Sequence, residues 1–229
     1  MKLVIFDCDG TLVDSQHMIV AAMNAAFASL ARPAPMREAT LSIVGLSLHE
    51  AFVRLTRADD SDIPQLIEAY KNAFHDLRAD ASHTEPLYDG ARDVIEALAR
   101  DREVMLGIAT GKSQRGVRLV LGHHGIFEHF ATIQTADDAP SKPHPAMIEQ
   151  AMAAVGATPE ATVMIGDTTF DIDMAHAAGV TAIGVAWGYH PVGALEGAGA
   201  HVVLGRFAEL PAALGQIWYP GGQGGKPRA

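Results

Sequence analysis

Two aspartates one residue apart, Asp7 and Asp9, stand directly after an apolar run at residues 3–6. The run reads as a buried strand. The pair therefore falls where strand gives way to loop, the edge at which open α/β sheets bind ligands. Side chains alternate along a strand, so Asp7 and Asp9 face one site together while Cys8 between them faces the packed interior. Two carboxylates at one site can divide labour, one attacking a substrate and the other moving a proton. Gly10 permits the sharp turn that follows. A bare pair of this kind is also ordinary turn polarity, so the weight rests on what accompanies it.

Three other segments accompany it. A second apolar run, at 104–109, ends in Thr110 and Gly111. That hydroxyl and N–H can bind an anion at a helix start; equally, Thr110 or Ser113 can cap a helix at 114–122. Lys142 lies in a loop stiffened by Pro143 and Pro145, and Pro145 suits the first turn of the next helix. A helix N-terminus repels a cation, so a lysine is worth placing there when an anion lies close; the other reading is a solvated loop lysine. A third run, at 162–166, leads into Asp167, Asp171 and Asp173. Asp167 can complete an oxygen-ligand set for Mg²⁺, and Asp171 can pair with Lys142. Acidic capping of a helix near 171–178 is the alternative, and the reading taken for Asp173.

The elements that must position these groups follow from the pattern around them. Strands are expected near 2–7, 104–109, 130–134, 162–166, 181–185 and 201–204. Helices are expected between them, at 91–100, 113–122, 145–155 and 171–178. This alternation predicts an α/β fold with a doubly wound parallel sheet. Residues 15–86 break it, offering instead amphipathic helices at 18–30, 48–58 and 63–79. A helical insert thus interrupts a βαβ unit at its catalytic edge. The expected division is a core of residues 1–14 and 86–215, a small all-helical cap of 15–85, and a disordered glycine-rich tail of 216–229.

The four segments, in this order and each at a strand end, resemble the haloacid dehalogenase superfamily of phosphohydrolases. The resemblance covers about residues 1–215. It rests on DxDGTLxDS at 7–15, Thr110, Lys142 before a proline, and GDxxxD at 166–171. Residues 88–90 and 187–189 resemble its phosphoglycolate phosphatase-like branch, which carries a helical cap. The resemblance implies a Mg²⁺-dependent phosphatase acting on a small phosphorylated metabolite through an aspartyl-phosphate on Asp7. Asp9 would be the general acid and base. Asp7, Asp9 through its carbonyl, and Asp167 would hold the metal. Thr110, Gly111 and Lys142 would bind the phosphate, with Asp171 fixing Lys142. An acid at position 9 suits an oxygen leaving group that must be protonated, which sets dehalogenase and phosphonate-cleaving activities aside.

Gly45, Ser47 and His49 resemble the cap loop that reaches the site and selects the substrate. Leu48 stands where sugar-phosphate mutases of this branch commonly place an arginine. Ser47 also reads as a helix N-cap, and His49 as a surface histidine. The alternatives kept open are a pyrophosphatase, a sugar-phosphate phosphatase, a β-phosphoglucomutase-like isomerase, and a non-catalytic binding protein of the same fold.

Composition bounds the partners. Of 229 residues, 17 are Lys or Arg against 27 Asp or Glu, a net charge of −10 that gives no sign of a basic face for nucleic acid, although a positively lined cleft is compatible with it. Residues 174–195 contain no Asp, Glu, Lys or Arg, but two histidines, a proline and four glycines make them a helix end, a strand and a loop rather than a membrane span. A single cysteine excludes an internal disulfide, and the chain opens on a strand with no leader ahead of it. Both features point to the cytoplasm. A monomer or weak homodimer is expected.

Overall fold

Six strands, β1 (Lys2–Phe6), β2 (Val104–Thr110), β3 (Phe130–Thr135), β4 (Thr162–Gly166), β5 (Thr181–Val185) and β6 (Val202–Leu204), form one sheet in the order β3-β2-β1-β4-β5-β6. Every neighbouring pair is parallel. The coordinates are a computed structural model that describes residues 1–57, 60–80 and 84–220.

The central strands β1, β2 and β4 are mostly apolar because both faces of the sheet are covered, while the edge strand β3 carries Thr132 and Gln134. Val4, Phe6 and Cys8 of the first strand segment join one buried cluster with Ile108 and Ile165. Leu3 and Ile5 join the opposite one with Met147 and Met164. The alternation thus runs past the end of β1, and Cys8 lies in the core as expected.

Four helices lie between β1 and β2: α1 (Gln16–Ser29), α2 (Arg37–Leu41), α3 (Leu48–Leu55) and α4 (Ile63–Ala79). Helices α1, α3 and α4 share a buried cluster of their own, built on Met23, Phe27, Phe52 and Leu66, which Ile43 and Leu46 join from the segment after α2. Phe170, from outside the insert, completes it. The remaining helices are α5 (Ala91–Ala99), α6 (Gln114–His123), α7 (Ala146–Val155), α8 (Thr169–Ala177), α9 (Val192–Gly197) and α10 (Leu210–Trp218). Among the described residues, no helix is long and apolar enough to cross a membrane.

The structure departs from expectation at short or weakly patterned segments. Helices α2, α9 and α10 had no distinct signal. The tail expected from residue 216 is corrected for 216–218, which close α10. Leu210, Ala213 and Leu214 bury one face of that helix, Ile217 and Trp218 pack on the same core, and Lys2 Nζ sits 5.2 Å from the Trp218 ring. Those contacts outweigh the ordering entropy that a polar glycine run does not recover. Residues 221–229 of the expected tail lie outside the described residues. The helix expected at 171–178 starts at Thr169, because Thr168 and Asp171 form a capping box.

Candidate active site

The strand order reverses at β1, and in such sheets ligands lie beyond the carboxyl ends of the strands at that reversal. Asp7 follows β1, Thr110 ends the adjacent β2, and Asp167 follows β4 on the other side. Three strand ends thus bring three of the expected residues to one place. Gly10 has φ +88°, and a Cβ there would lie 2.2 Å from Asp167 Oδ2. Only glycine adopts that turn and lets the two loops touch.

The buried half of the site is a chain of ion pairs. Lys142 Nζ lies 3.0 Å from Asp7 Oδ1 and 2.6 Å from Asp171 Oδ1. Asp7 Oδ1 also accepts the Cys8 N–H at 2.7 Å. The Thr168 N–H and hydroxyl donate to Asp171 Oδ2 at 3.0 and 2.7 Å. Asp167 accepts the Thr11 hydroxyl at 2.8 Å and the Tyr189 N–H at 2.9 Å. Asp7, Lys142, Asp167 and Asp171 are all buried.

Burial governs their electrostatics. It pushes the Asp7 carboxyl up to about 6, against the pull of Lys142. It pushes Asp167 well above the usual carboxylate range, and Asp171 and Asp7 add to that. Burial works against the Lys142 ammonium, but Asp171 and Asp7 outweigh it and the net direction is up.

The donor set fits a hard divalent cation. Asp7, Asp167 and Asp171 each offer a carboxylate oxygen within 4.8 Å of the others. Asp7 Oδ2 is buried with no hydrogen-bond partner among the described residues, a costly state that a cation relieves. Both oxygens of Asp171 already serve Lys142 and Thr168. Both oxygens of Asp167 likewise accept, from Thr11 and Tyr189, so among the described residues Asp7 Oδ2 is the one oxygen of the three carboxylates without a partner.

The other half of the site is open. A cavity of about 540 Å³ lies between the insert and the sheet edge. Asp7, Asp9, Thr110 and Gly111 line it from the core, and Gly45, Ser47 and His49 from the insert. Lys142, Asp167 and Asp171 stand behind this wall. The two sides touch closely: a Cβ on Gly111 would be 2.5 Å from the Leu46 carbonyl oxygen and 2.6 Å from that of Gly45. The Ser47 N–H donates to Ser141 Oγ at 2.8 Å, one residue from Lys142.

The capping reading holds for Ser47 and Ser113 and not for Thr110. Ser47 Oγ accepts the Glu50 N–H at 3.4 Å and so caps α3 while facing the cavity. Ser113 caps α6 through the Gly116 N–H at 3.1 Å, which frees Thr110 from that role. His49 is exposed, 3.6 Å from Glu50.

Sequence reasoning assigned no role to the partners of Asp9. Its Oδ1 accepts the Ser15 hydroxyl and lies 2.7 Å from Lys112 Nζ. Lys112 also reaches Glu85 at 3.1 Å, and Glu85 is held by Arg78 of α4 at 2.5 Å. Burial opposes the Lys112 charge, but Asp9 and Glu85 outweigh it and raise its pKa. The available signal was position: Lys112 directly follows Thr110 and Gly111.

A family model described as haloacid dehalogenase-like hydrolase matches residues 4–185. The chain is 35% identical over 215 residues to the probable phosphatase IndB of Dickeya dadantii, covering 91% of each. It is 32% identical to the pyrophosphatase PpaX of Bacillus pumilus, covering 94% of this chain and 97% of that one. It is 34% identical to a phosphoglycolate phosphatase of Pseudomonas putida, covering 82% and 71%. Among solved structures, a predicted phosphatase from Clostridium acetobutylicum superposes with a TM-score of 0.83 at 25% identity, covering 93% and 97%.

Proposed function

This chain belongs to the haloacid dehalogenase-like hydrolase family, and we propose that it is a Mg²⁺-dependent phosphatase of a small phosphorylated metabolite, working through an aspartyl-phosphate on Asp7. The observation that carries this reading is Asp7 itself. One oxygen is pinned by Lys142 and the Cys8 N–H, and the other is buried without a partner on the wall of a cavity. A carboxylate so held has its orientation fixed by an ammonium and an N–H at the cavity wall.

Asp7 attacks phosphorus in line with the ester oxygen. Thr110 and the Gly111 N–H hold the phosphoryl oxygens, and Lys142 neutralises charge while orienting the nucleophile. Asp171 keeps Lys142 in place. Asp9 protonates the departing alcohol, then takes a proton from the water that cleaves the aspartyl-phosphate. Asp7, Asp167 and the Asp9 carbonyl would hold Mg²⁺, which supplies positive charge against the repulsion between carboxylate and phosphate. The insert acts as a cap, with Gly45, Ser47 and His49 on the loop that admits substrate. Leu48 on that wall, in place of an arginine, favours hydrolysis over isomerisation. A proton donor at Asp9 favours an enzyme over a binding protein.

Phosphoglycolate and pyrophosphate are the reference substrates, after the activities named for the relatives. The test is phosphate release from a panel of phosphorylated metabolites in Mg²⁺ and in EDTA. Release in Mg²⁺ that EDTA abolishes is expected. Inertness of folded protein towards the whole panel would overturn the reading.

A further inference from the structure

The aromatic rings of the insert form a chain that ends inside the cavity. Ring centroids are 6.1 Å apart for Phe27 and Phe52, 6.2 Å for Phe52 and Tyr70, and 5.8 Å for Tyr70 and Phe74. Tyr70 and Phe74 line the cavity from α4, with Ile67 beside them and Leu119 of α6 facing from the core. Leu119 is 43% exposed, a large apolar side chain left in water at this mouth.

The last ring lies next to the chemistry. Lys112 Nζ is 2.7 Å from Asp9 Oδ1 and 5.1 Å from the centre of the Phe74 ring. The Phe74 ring centre is thus no farther from Asp9 Oδ1 than the sum of those two distances, within reach of a leaving group a few bonds long. Resting on the phosphatase reading above, we propose that the preferred substrate is a phosphate monoester of a primary alcohol bearing a flat apolar ring. That ring packs on Phe74 and Tyr70.

Size and charge support the same class. At about 540 Å³, the cavity matches pockets that enclose ring-bearing molecules rather than two-carbon ones, and such pockets are walled mainly by apolar side chains. Aromatic pairs also prefer offset or edge-on contact; Arg78 and Lys112 lie over the Phe74 ring at 4.9 and 5.1 Å, so its edge and the tilted Tyr70 ring are what a third ring would meet. Lys112 is committed to Asp9 and Glu85, Arg78 to Glu85 and Lys71 to Glu68. A carboxylate or second phosphate arriving beside these three would find each already paired, while Arg115 lines the cavity from α6.

The test compares kcat/KM for benzyl phosphate and ethyl phosphate, whose leaving alcohols have similar basicity, with phosphoglycolate and pyrophosphate alongside. It uses the full chain in Mg²⁺. Benzyl phosphate should lead ethyl phosphate by more than about tenfold, the scale on which an apolar pocket discriminates, and should exceed both reference substrates. Phe74→Ala should shrink the benzyl-to-ethyl ratio at least about fivefold. Leu119→Ser, at an exposed position, should shrink it in the same direction if Phe74→Ala fails to fold. A ratio near one, or phosphoglycolate or pyrophosphate leading, would overturn the ring-bearing class while leaving the phosphatase reading intact. Release from none of the four compounds would remove the phosphatase reading and this proposal with it.

Discussion

Gly111→Ala isolates the contact between the insert and the loop that follows β2. The added methyl would sit 2.5 Å from one carbonyl oxygen and 2.6 Å from another, both in the insert. Carbon–oxygen contacts settle at about 3.3 Å, so the loop around Gly45 and Leu46 must retreat by roughly 0.8 Å. The nearest clashing atoms belong to the insert and none to the sheet. The core should therefore fold unchanged, with a melting temperature within about 4 °C of wild type. Activity should not survive so well, since a misplacement of about 1 Å typically costs on the order of 10²-fold. Steady-state phosphate release and a thermal melt on the same preparation decide the matter. A kcat/KM within threefold of wild type would refute the view that insert and core must meet at Gly111. Loss of activity with a collapsed melting temperature would show that the methyl disturbs the core instead.

Other perturbations probe the buried groups. Asp7→Asn should fold and lose at least about 10⁴-fold in turnover, since an amide is a poor nucleophile at phosphorus; near-normal turnover would overturn the covalent route. Lys112→Met leaves Asp9 and Glu85 buried without their shared ammonium and should cost about 3–5 kcal/mol in urea unfolding. Adding Glu85→Gln should recover part of that loss, and a cost below about 1 kcal/mol would mean the pair is effectively solvated. Burial raises Asp7 from 3.8 to about 6. A carboxyl raised on folding contributes stability below its unfolded value that is lost as pH climbs through the folded one. At about 1.4 kcal/mol per tenfold in proton affinity, the metal-free protein should lose on the order of 3 kcal/mol from this group between pH 4 and pH 7. The measurement is the difference in melting between wild type and Asp7→Asn in EDTA. Mg²⁺ should raise the wild-type melt far more at pH 7.5 than at pH 5, and an equal effect at both would argue against an ion held by Asp7.

Strand ends were the legible part of this chain. Apolar runs that stop at Asp7, Thr110 and Asp167 announce buried parallel strands, and the sheet order then brings their ends together. The pairing of Lys142 with Asp171 was readable because a stiffened loop lysine near a helix start needs an anion. Lys112 was not readable as a partner of Asp9. A lysine after glycine in a polar loop looks solvated, and the glutamate that shares it lies 27 residues away. Helices α9 and α10 escaped notice because small and apolar residues surround them without a polar face to mark the period. The apolar character of the cavity was hidden for a related reason. Tyr70 and Phe74 sit at helical spacing on α4, where aromatic side chains ordinarily mean core, and only the fold shows which end of the row stays open.

Phe170 has a consequence for protein engineering. It stands between Asp167 and Asp171 in the chain yet fills the hydrophobic centre of the insert, with Arg54 stacked 4.8 Å over its ring. Helices α1–α4 therefore lack part of their interior when separated from the rest. Chimeras that graft this segment onto a related scaffold should retain an aromatic at the recipient's matching position, or the transplanted helices will settle around a void beside the carboxylates they are meant to cover.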